Sequence, residues 1–344
     1  MRAFQLTAPT KTAVNDVDKP EPQGGQVVLK VTGAGVCHSD LHILHATEAL
    51  FPTPMTFGHE VAGTVDSVAP DVQGWEVGAP VLVYLSYGCG TCRACAAGAE
   101  NYCEAFPRST VPGPGLGADG GMAEYISVPA RNLVALGDLD PVDAAPLTDA
   151  ALTPYHAIDL SRERLTPSAT VVALGIGGLG HMGLQILRET CGSTIVAVDT
   201  DPARLEQAEQ LGAHHTLLSD ERAADEILKL TGGIGADVVL DFVGVPPTMA
   251  TAAACIRSHG QVTAVGRGGG EITFAAEAAP IHLPWGATLV KPYGGTRRDL
   301  QEVVALAQKG RIDVHVERFG LDDALDVLNK LDAGEIKGRA VLVP

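Results

Sequence analysis

At 344 residues the chain is long enough for two domains, each with its own core. Its 46% apolar and 19% charged residues make a globular composition that excludes global disorder. A formal net charge of −17 disfavours nucleic acid and anionic membranes as partners, and no run approaches the ~18 apolar residues of a membrane span. The opening stretch MRAFQLTAPTKTAVNDVDKP has no sustained apolar core and already alternates like a strand, so no export signal is read and the cytoplasm is the expected compartment.

The first part of the chain is rich in glycine, proline and short β-type runs. QVVLKVTGAGV (26–36), EVAGTVDSVA (60–69) and APVLVYLS (79–86) predict strands broken by turn residues, hence a β-rich domain. The Ala/Leu-rich segment APLTDAALTPYHAI (145–158) is predicted helical around its proline. From TVVAL (170–174) onward strands and helices alternate. A helix near 178–191 is followed by the strand 194–199, a helix near 202–211, the strand 215–218 and a helix near 221–231. The strand 236–243, a helix near 247–258 and the strand 261–266 complete the run. That order implies a parallel, doubly wound sheet, an α/β fold. Helices near 297–309 and 321–333 and a last strand GRAVLVP are expected to return to the first domain. The expected division is therefore 1–153 with 296–344, and 154–295.

GIGGLG, residues 175–180, carries Gly175, Gly177, Gly178 and Gly180 directly after an apolar strand and at the opening of a helix, and all four are expected at the cofactor. Gly175 permits the tight turn, Gly177 lets backbone approach a pyrophosphate, and Gly180 lets helix and strand pack closely. The helix N-terminus then offers N–H groups to the phosphates. Asp199 ends the next strand, where a carboxylate accepts hydrogen bonds from the adenosine ribose and repels a 2′-phosphate, so NAD is expected rather than NADP. Arg204, one helical turn on, either holds Asp199, reaches the ribose or is a plain surface arginine.

Two other groups of residues suggest metal. GVCHSDLH and GHEVAG place Cys37, His59 and Glu60 near the ends of short strands. A thiolate, an imidazole and one further anion would make an open zinc site, while a buried cysteine with a capping histidine is the plainer alternative. GCGTCRACAAGAENYC (88–103) carries four of the seven cysteines, Cys89, Cys92, Cys95 and Cys103, on what reads as a glycine-rich loop. Four thiolates suit a closed tetrahedral zinc; a redox pair would want a βαβ setting, and spacing alone leaves an iron–sulfur cluster open. Cys191 and Cys255 read as small buried hydrophobes.

Taken together and in this order, GVCHSDLH, GHEVAGTV, the four-cysteine run, GIGGLG and KGRAVLV resemble the zinc-dependent medium-chain alcohol dehydrogenases along essentially the whole chain. APLTDAALTPYHAI is closest to the bacterial NAD-dependent secondary-alcohol dehydrogenases. The resemblance implies a GroES-like catalytic domain, a Rossmann cofactor domain, NAD, and two zinc ions per chain. Cys89, Cys92, Cys95 and Cys103 would hold the structural zinc; Cys37, His59 and Asp149 would hold the catalytic one. The family commonly has cysteine at position 149, and the alternative for Asp149 is a helix N-cap. It further implies Glu60 as a carboxylate near that zinc and Asp40 as the acid orienting the ligand histidine. Ser39 and His42 would relay the proton, and His38 and Arg339 would lie near the cofactor phosphates. Phe51, Tyr87 and Leu116 match the family's substrate wall, expected between the domains, and the small Ser86 leaves room for two substituents on the carbinol carbon. The segment 273–295 matches a strand that pairs subunits, so a homodimer or homotetramer is expected. The implied reaction is hydride transfer between secondary alcohols or ketones and NAD. Primary alcohols, aromatic ones included, are the alternative, and a non-catalytic zinc- and dinucleotide-binding protein the alternative of another class.

Overall fold

The computed structural model describes residues 1–107, 110–273 and 283–344. The chain divides into two compact units, Met1–Leu152 with Thr296–Pro344, and Thr153–Gly295.

The first unit is built on antiparallel β-structure. The hairpin Arg2–Ala8 and Lys11–Asp16 pairs with Met55–Thr56 in a small sheet, and a larger sheet of seven strands centres on Gln26–Gly35. That strand is apolar on both faces, with Val27, Val28, Leu29 and Val31 buried, as a central strand must be. It pairs antiparallel with Glu60–Val68, Tyr125–Pro129 and Arg339–Val343. The core beneath includes Phe4 stacked on Phe57 at 5.4 Å between ring centroids, with Leu6, Met122 and Leu342. Two register shifts against Glu60–Val68, at Val28/Leu29 and Val31/Gly33, re-aim the far end of Gln26–Gly35. There Gly35 lies opposite both Glu60 and Val341, so three distant stretches of sequence converge on one spot. The run 79–86, read as one strand, is strand only over Pro80–Val83; from Tyr84 on, its carbonyls are taken by side chains instead of a ladder.

The second unit is a six-stranded parallel sheet. In order across it run His215–Leu218, Thr194–Asp199, Thr170–Leu174, Ala236–Asp241, Ile256–Ala264 and Thr288–Val290. Val171–Leu174, Ile195–Asp199 and Val238–Asp241 are buried throughout, because helices cover both faces of such a sheet. The helix read near 247–258 is Pro246–Cys255, and the strand read as 261–266 begins earlier, since Ile256 already pairs with Ala236. The sheet partner overrides the helical leaning of the alanine run there. Residues 274–282 of the segment expected to pair subunits lie outside the described residues.

Candidate metal centres and cofactor loop

Cys37 ends the extended chain after Gln26–Gly35 and caps the helix His38–Leu44, where the Asp40 carboxylate accepts from the Cys37 N–H at 2.9 Å. His59 and Glu60 open the strand Glu60–Val68. Asp149 sits at the break between the 3-10 turn Ala145–Thr148 and the helix Leu152–Asp159, at φ −133° and ψ −57°. The segment read as one helix is interrupted here, and Asp149 lies too far before Leu152 to cap the helix that follows. The ligand atoms of Cys37, His59, Glu60 and Asp149 all lie within 4.8 Å of one another. Cys37 Sγ is 3.4 Å from Asp149 Oδ2, and His59 Nε2 is 3.6 Å from the same carboxylate oxygen.

The electrostatics of this group call for a cation. A Cβ at residue 35 would overlap Glu60 Oε2, so only glycine opposite it admits that carboxylate. Glu60 Oε2 and His59 Nε2 are buried and make no hydrogen bond among the described residues. Burial alone would pull the His59 imidazole down, yet the negative charge of Asp40 and the nearby carboxylate of Asp149 lift it well above its ordinary value. Burial pushes the Glu60 carboxyl up to about 7 against the pull of Arg339. Thiolate, imidazole and two carboxylates in one buried cluster fit a divalent metal of zinc's softness. Asp40 Oδ1 faces His59 Nδ1 at 3.4 Å, and Nε2 is turned towards Asp149. Arg339, on the strand Arg339–Val343, is only 4% exposed and its guanidinium is paired with Glu60 Oε1. Nothing in its sequence neighbourhood signals that pairing; only the sheet order brings the two together.

Cys89, Cys92, Cys95 and Cys103 form the second group, their sulfurs also within 4.8 Å of one another. Cys92 and Cys103 are 3.8 Å apart, close to the about 3.8 Å that tetrahedral zinc with 2.3 Å bonds imposes. The stretch read as a loop holds a short helix, Arg93–Ala96, and a 3-10 turn, Glu100–Tyr102, which aim backbone N–H groups at the sulfurs. Cys89 N donates to Cys103, Cys92 N to Cys89, and Cys95 N to Cys92. Donors from Thr91 above all bring the Cys89 thiol down to about 6, whereas burial pushes Cys95 up to about 12.

In the second unit Gly175 has φ +84°, and a Cβ there would overlap Val243; one at Gly180 would overlap the Gly175 carbonyl. At Gly177 the nearest atom to an added Cβ is Arg204 Nη1, 3.7 Å away, so the backbone is open to a ligand. Gly178 is half-buried in the turn that leads into the helix Gly180–Thr190, which puts it beside Gly177 at the mouth of the helix N-terminus. Unlike Gly175, Gly178 has no positive φ. Asp199, 4% exposed, accepts from Ile176 N at 2.6 Å and from Asp201 N at 2.9 Å, and Arg204 Nη1 lies 3.9 Å from it. One carboxylate thus shapes the glycine loop and still has acceptor capacity for ribose hydroxyls.

Sequence models place the alcohol dehydrogenase GroES-like domain on residues 23–138 and the zinc-binding dehydrogenase domain on 178–341. The chain belongs to the zinc-dependent medium-chain alcohol dehydrogenases. It is similar to the NAD-dependent alcohol dehydrogenase of Sulfurisphaera tokodaii, 34% identical over 100% of this chain and 99% of that one. It is as similar, at 34% identity over 96% and 94% of the two chains, to the NADP(+)-dependent D-arabinose 1-dehydrogenase of Saccharolobus solfataricus. The solved alcohol dehydrogenase of Aeropyrum pernix superposes with a TM-score of 0.91 at 35% identity, covering 100% of both chains. The family binds zinc, and both clusters fit it.

The remaining expected site residues of this family member have these places. Ser39 is half-buried with its Oγ 3.9 Å from Cys37 Sγ, while His38 and His42 are exposed on the same helix. Phe51, Tyr87 and Leu116 are each partly buried against the core of the first unit. An Asp199→Ala variant is expected to raise the KM for NAD roughly 10- to 100-fold, the worth of hydrogen bonds to a charged group, with no comparable loss for NADP. Asp199→Asn, which keeps one acceptor for Ile176, separates ribose recognition from loop shape; steady-state kinetics with both dinucleotides measures it.

Proposed function

We propose that the enzyme interconverts secondary alcohols and ketones with NAD as hydride acceptor. The alcohol dehydrogenase chemistry belongs to the family; the substrate class rests on the small Ser86 next to Tyr87, which leaves room for a second substituent beside an aromatic wall. Cys37, His59 and Asp149 would hold the zinc, which would supply Lewis acidity for the substrate oxygen. The glycine loop of Gly175, Gly177, Gly178 and Gly180, with Asp199, would hold NAD, which would supply the hydride-accepting nicotinamide.

The chain's own residues do the rest. Asp40 fixes the His59 ring through Nδ1, so Nε2 keeps its lone pair for the metal. Ser39 stands beside Cys37 and takes the alcohol proton; His42, three residues on and therefore on the same helix face, passes it to water. Arg339 neutralises Glu60, so the two anionic ligands, Cys37 and Asp149, balance a divalent cation by themselves.

NADH formation from matched secondary and primary alcohols, with an aldose arm and with and without a strong chelator, tests the reading. Chelator-sensitive turnover favouring the secondary series by roughly tenfold or more in kcat/KM is the expected result. Preference for the primary series replaces the substrate class, and preference for the aldose arm brings the enzyme to its D-arabinose-oxidising relative. A homodimer or homotetramer is supported by the edge strand Thr288–Val290, with Leu289 and Trp285 exposed. Cytoplasmic residence is supported by seven unbridged cysteines. No helix among the described residues is long and apolar enough to cross a membrane.

A further inference from the structure

The dipeptide Arg131–Asn132 has no chemistry of its own, yet it grips the chain on its way from the sheet to the four-cysteine cluster. It lies in the 3-10 turn Ala130–Asn132, between the strands Tyr125–Pro129 and Leu133–Ala135. Asn132 is 2% exposed, and its side-chain amide donates to Tyr84 O at 3.0 Å and to Ser86 O at 2.8 Å. Its own carbonyl accepts from Tyr84 N at 2.7 Å, and the Arg131 guanidinium donates to Gly88 O. Carbonyls 84, 86 and 88 are therefore all held by two adjacent residues, over a stretch whose strand ladder has ended at Val83. Gly90, at φ +81°, leaves the space Arg131 needs, since a Cβ there would overlap Nη1.

The same stretch is tied to the residue before His59. The link runs through a turn: the residue before His59, Gly58, and Leu85 of the gripped stretch both pack against the stretch 113–115. The turn at Gly113–Gly115 fits against both: a Cβ at 113 would overlap Leu85 O, and one at 115 would lie 2.7 Å from Gly58 N. Tyr87 N donates to Pro112 O at 2.7 Å, and a Cβ at Gly117 would lie 3.3 Å from the Phe51 ring. The carbonyl grip thus holds a stretch that packs, through the turn at Gly113–Gly115, against Gly58, the residue before His59.

We propose that Asn132, with Arg131, is a positioning residue that sets the place of Ser86 and Tyr87 and so tunes which alcohols the enzyme accepts. The proposal rests on the reading that Ser86 and Tyr87 face the substrate. Because Cys89 follows directly, it also makes the four-cysteine cluster the far anchor of that wall. A buried amide with two carbonyl acceptors is hard to replace: alanine leaves both acceptors unpaired and frees the chain to shift, and small shifts are costly in an active site.

The test uses the zinc-loaded enzyme and compares kcat/KM for isopropanol with that for a phenyl-substituted secondary alcohol. Asn132→Ala and Arg131→Gln should each change that ratio roughly tenfold or more, through KM, with both zinc equivalents retained, and Arg131→Lys should restore most of it. Thermal stability and metal content are read in parallel, because a purely structural role lowers those and leaves the ratio alone. A ratio within twofold of the parent in both variants overturns the proposal. Tyr87→Ala and Phe51→Ala separate the two levels: a ratio unmoved by them sinks the wall itself, and with it this role for Asn132. If Asn132→Ala does not fold, Arg131→Gln carries the test, since Arg131 is exposed.

Discussion

Asp149→Ala is expected to remove one of the two zinc equivalents and to lower kcat/KM roughly a thousandfold, as several kcal/mol of charge stabilisation go with the metal. The carboxylate is 3.4 Å from Cys37 Sγ and 3.6 Å from His59 Nε2. Glu60, the other carboxylate of the cluster, is already paired with Arg339 and is a poor replacement for it. Asp149→Cys gives the control: a thiolate restores the negative charge and a softer ligand, so zinc should return. Metal analysis alongside kinetics on one alcohol separates ligand loss from general damage. Full zinc and full activity in Asp149→Ala would remove this residue from the ligand set.

Arg339→Gln is expected to cost about 3–5 kcal/mol of stability, because it strands a buried carboxylate beside two other anions. Glu60 is fully buried and Arg339 nearly so, which makes breaking the pair far more damaging than removing it whole. Glu60→Gln with Arg339→Gln should therefore be more stable than the arginine single variant, a coupling that urea denaturation of the four proteins in the cycle resolves. Calorimetric NAD affinity, measured on the same four, asks whether Arg339 also serves the cofactor. A guanidinium acting on phosphate alone would leave stability unchanged and weaken NAD in both backgrounds.

Much of this was legible in local sequence, and the exceptions have a common cause. The parallel sheet announced itself because its strands are unbroken apolar runs, such as Val171–Leu174 and Ile195–Val198, each followed by an amphipathic helix. The glycine loop was readable because Gly175 and Gly180 answer demands of backbone geometry and close packing. The four cysteines were readable because their spacing alone brings the sulfurs within reach of one another. What could not be read were partnerships made across the sheet: Arg339 with Glu60, and Asn132 with the carbonyls of Tyr84 and Ser86. These depend on strand order and on the two register shifts in Gln26–Gly35, and neither leaves a periodic trace. The short helix inside the cysteine run escaped notice for another reason. Four residues give no period to detect, and its capping is done by a thiol, Cys92, in place of the usual hydroxyl or carboxylate.

The pairing of Val341 with Gly35 joins positions roughly 300 residues apart, with the whole nucleotide-type unit inserted between them. During synthesis that inserted unit emerges complete, and its parallel sheet can form, while the first unit still lacks the strand that borders Glu60. A ribosome-bound chain stopped short of residue 339 would hold Glu60 without its counter-ion and the first metal cluster with an excess of negative charge. The final charge balance of that centre is in this way completed only when the closing strand is in place.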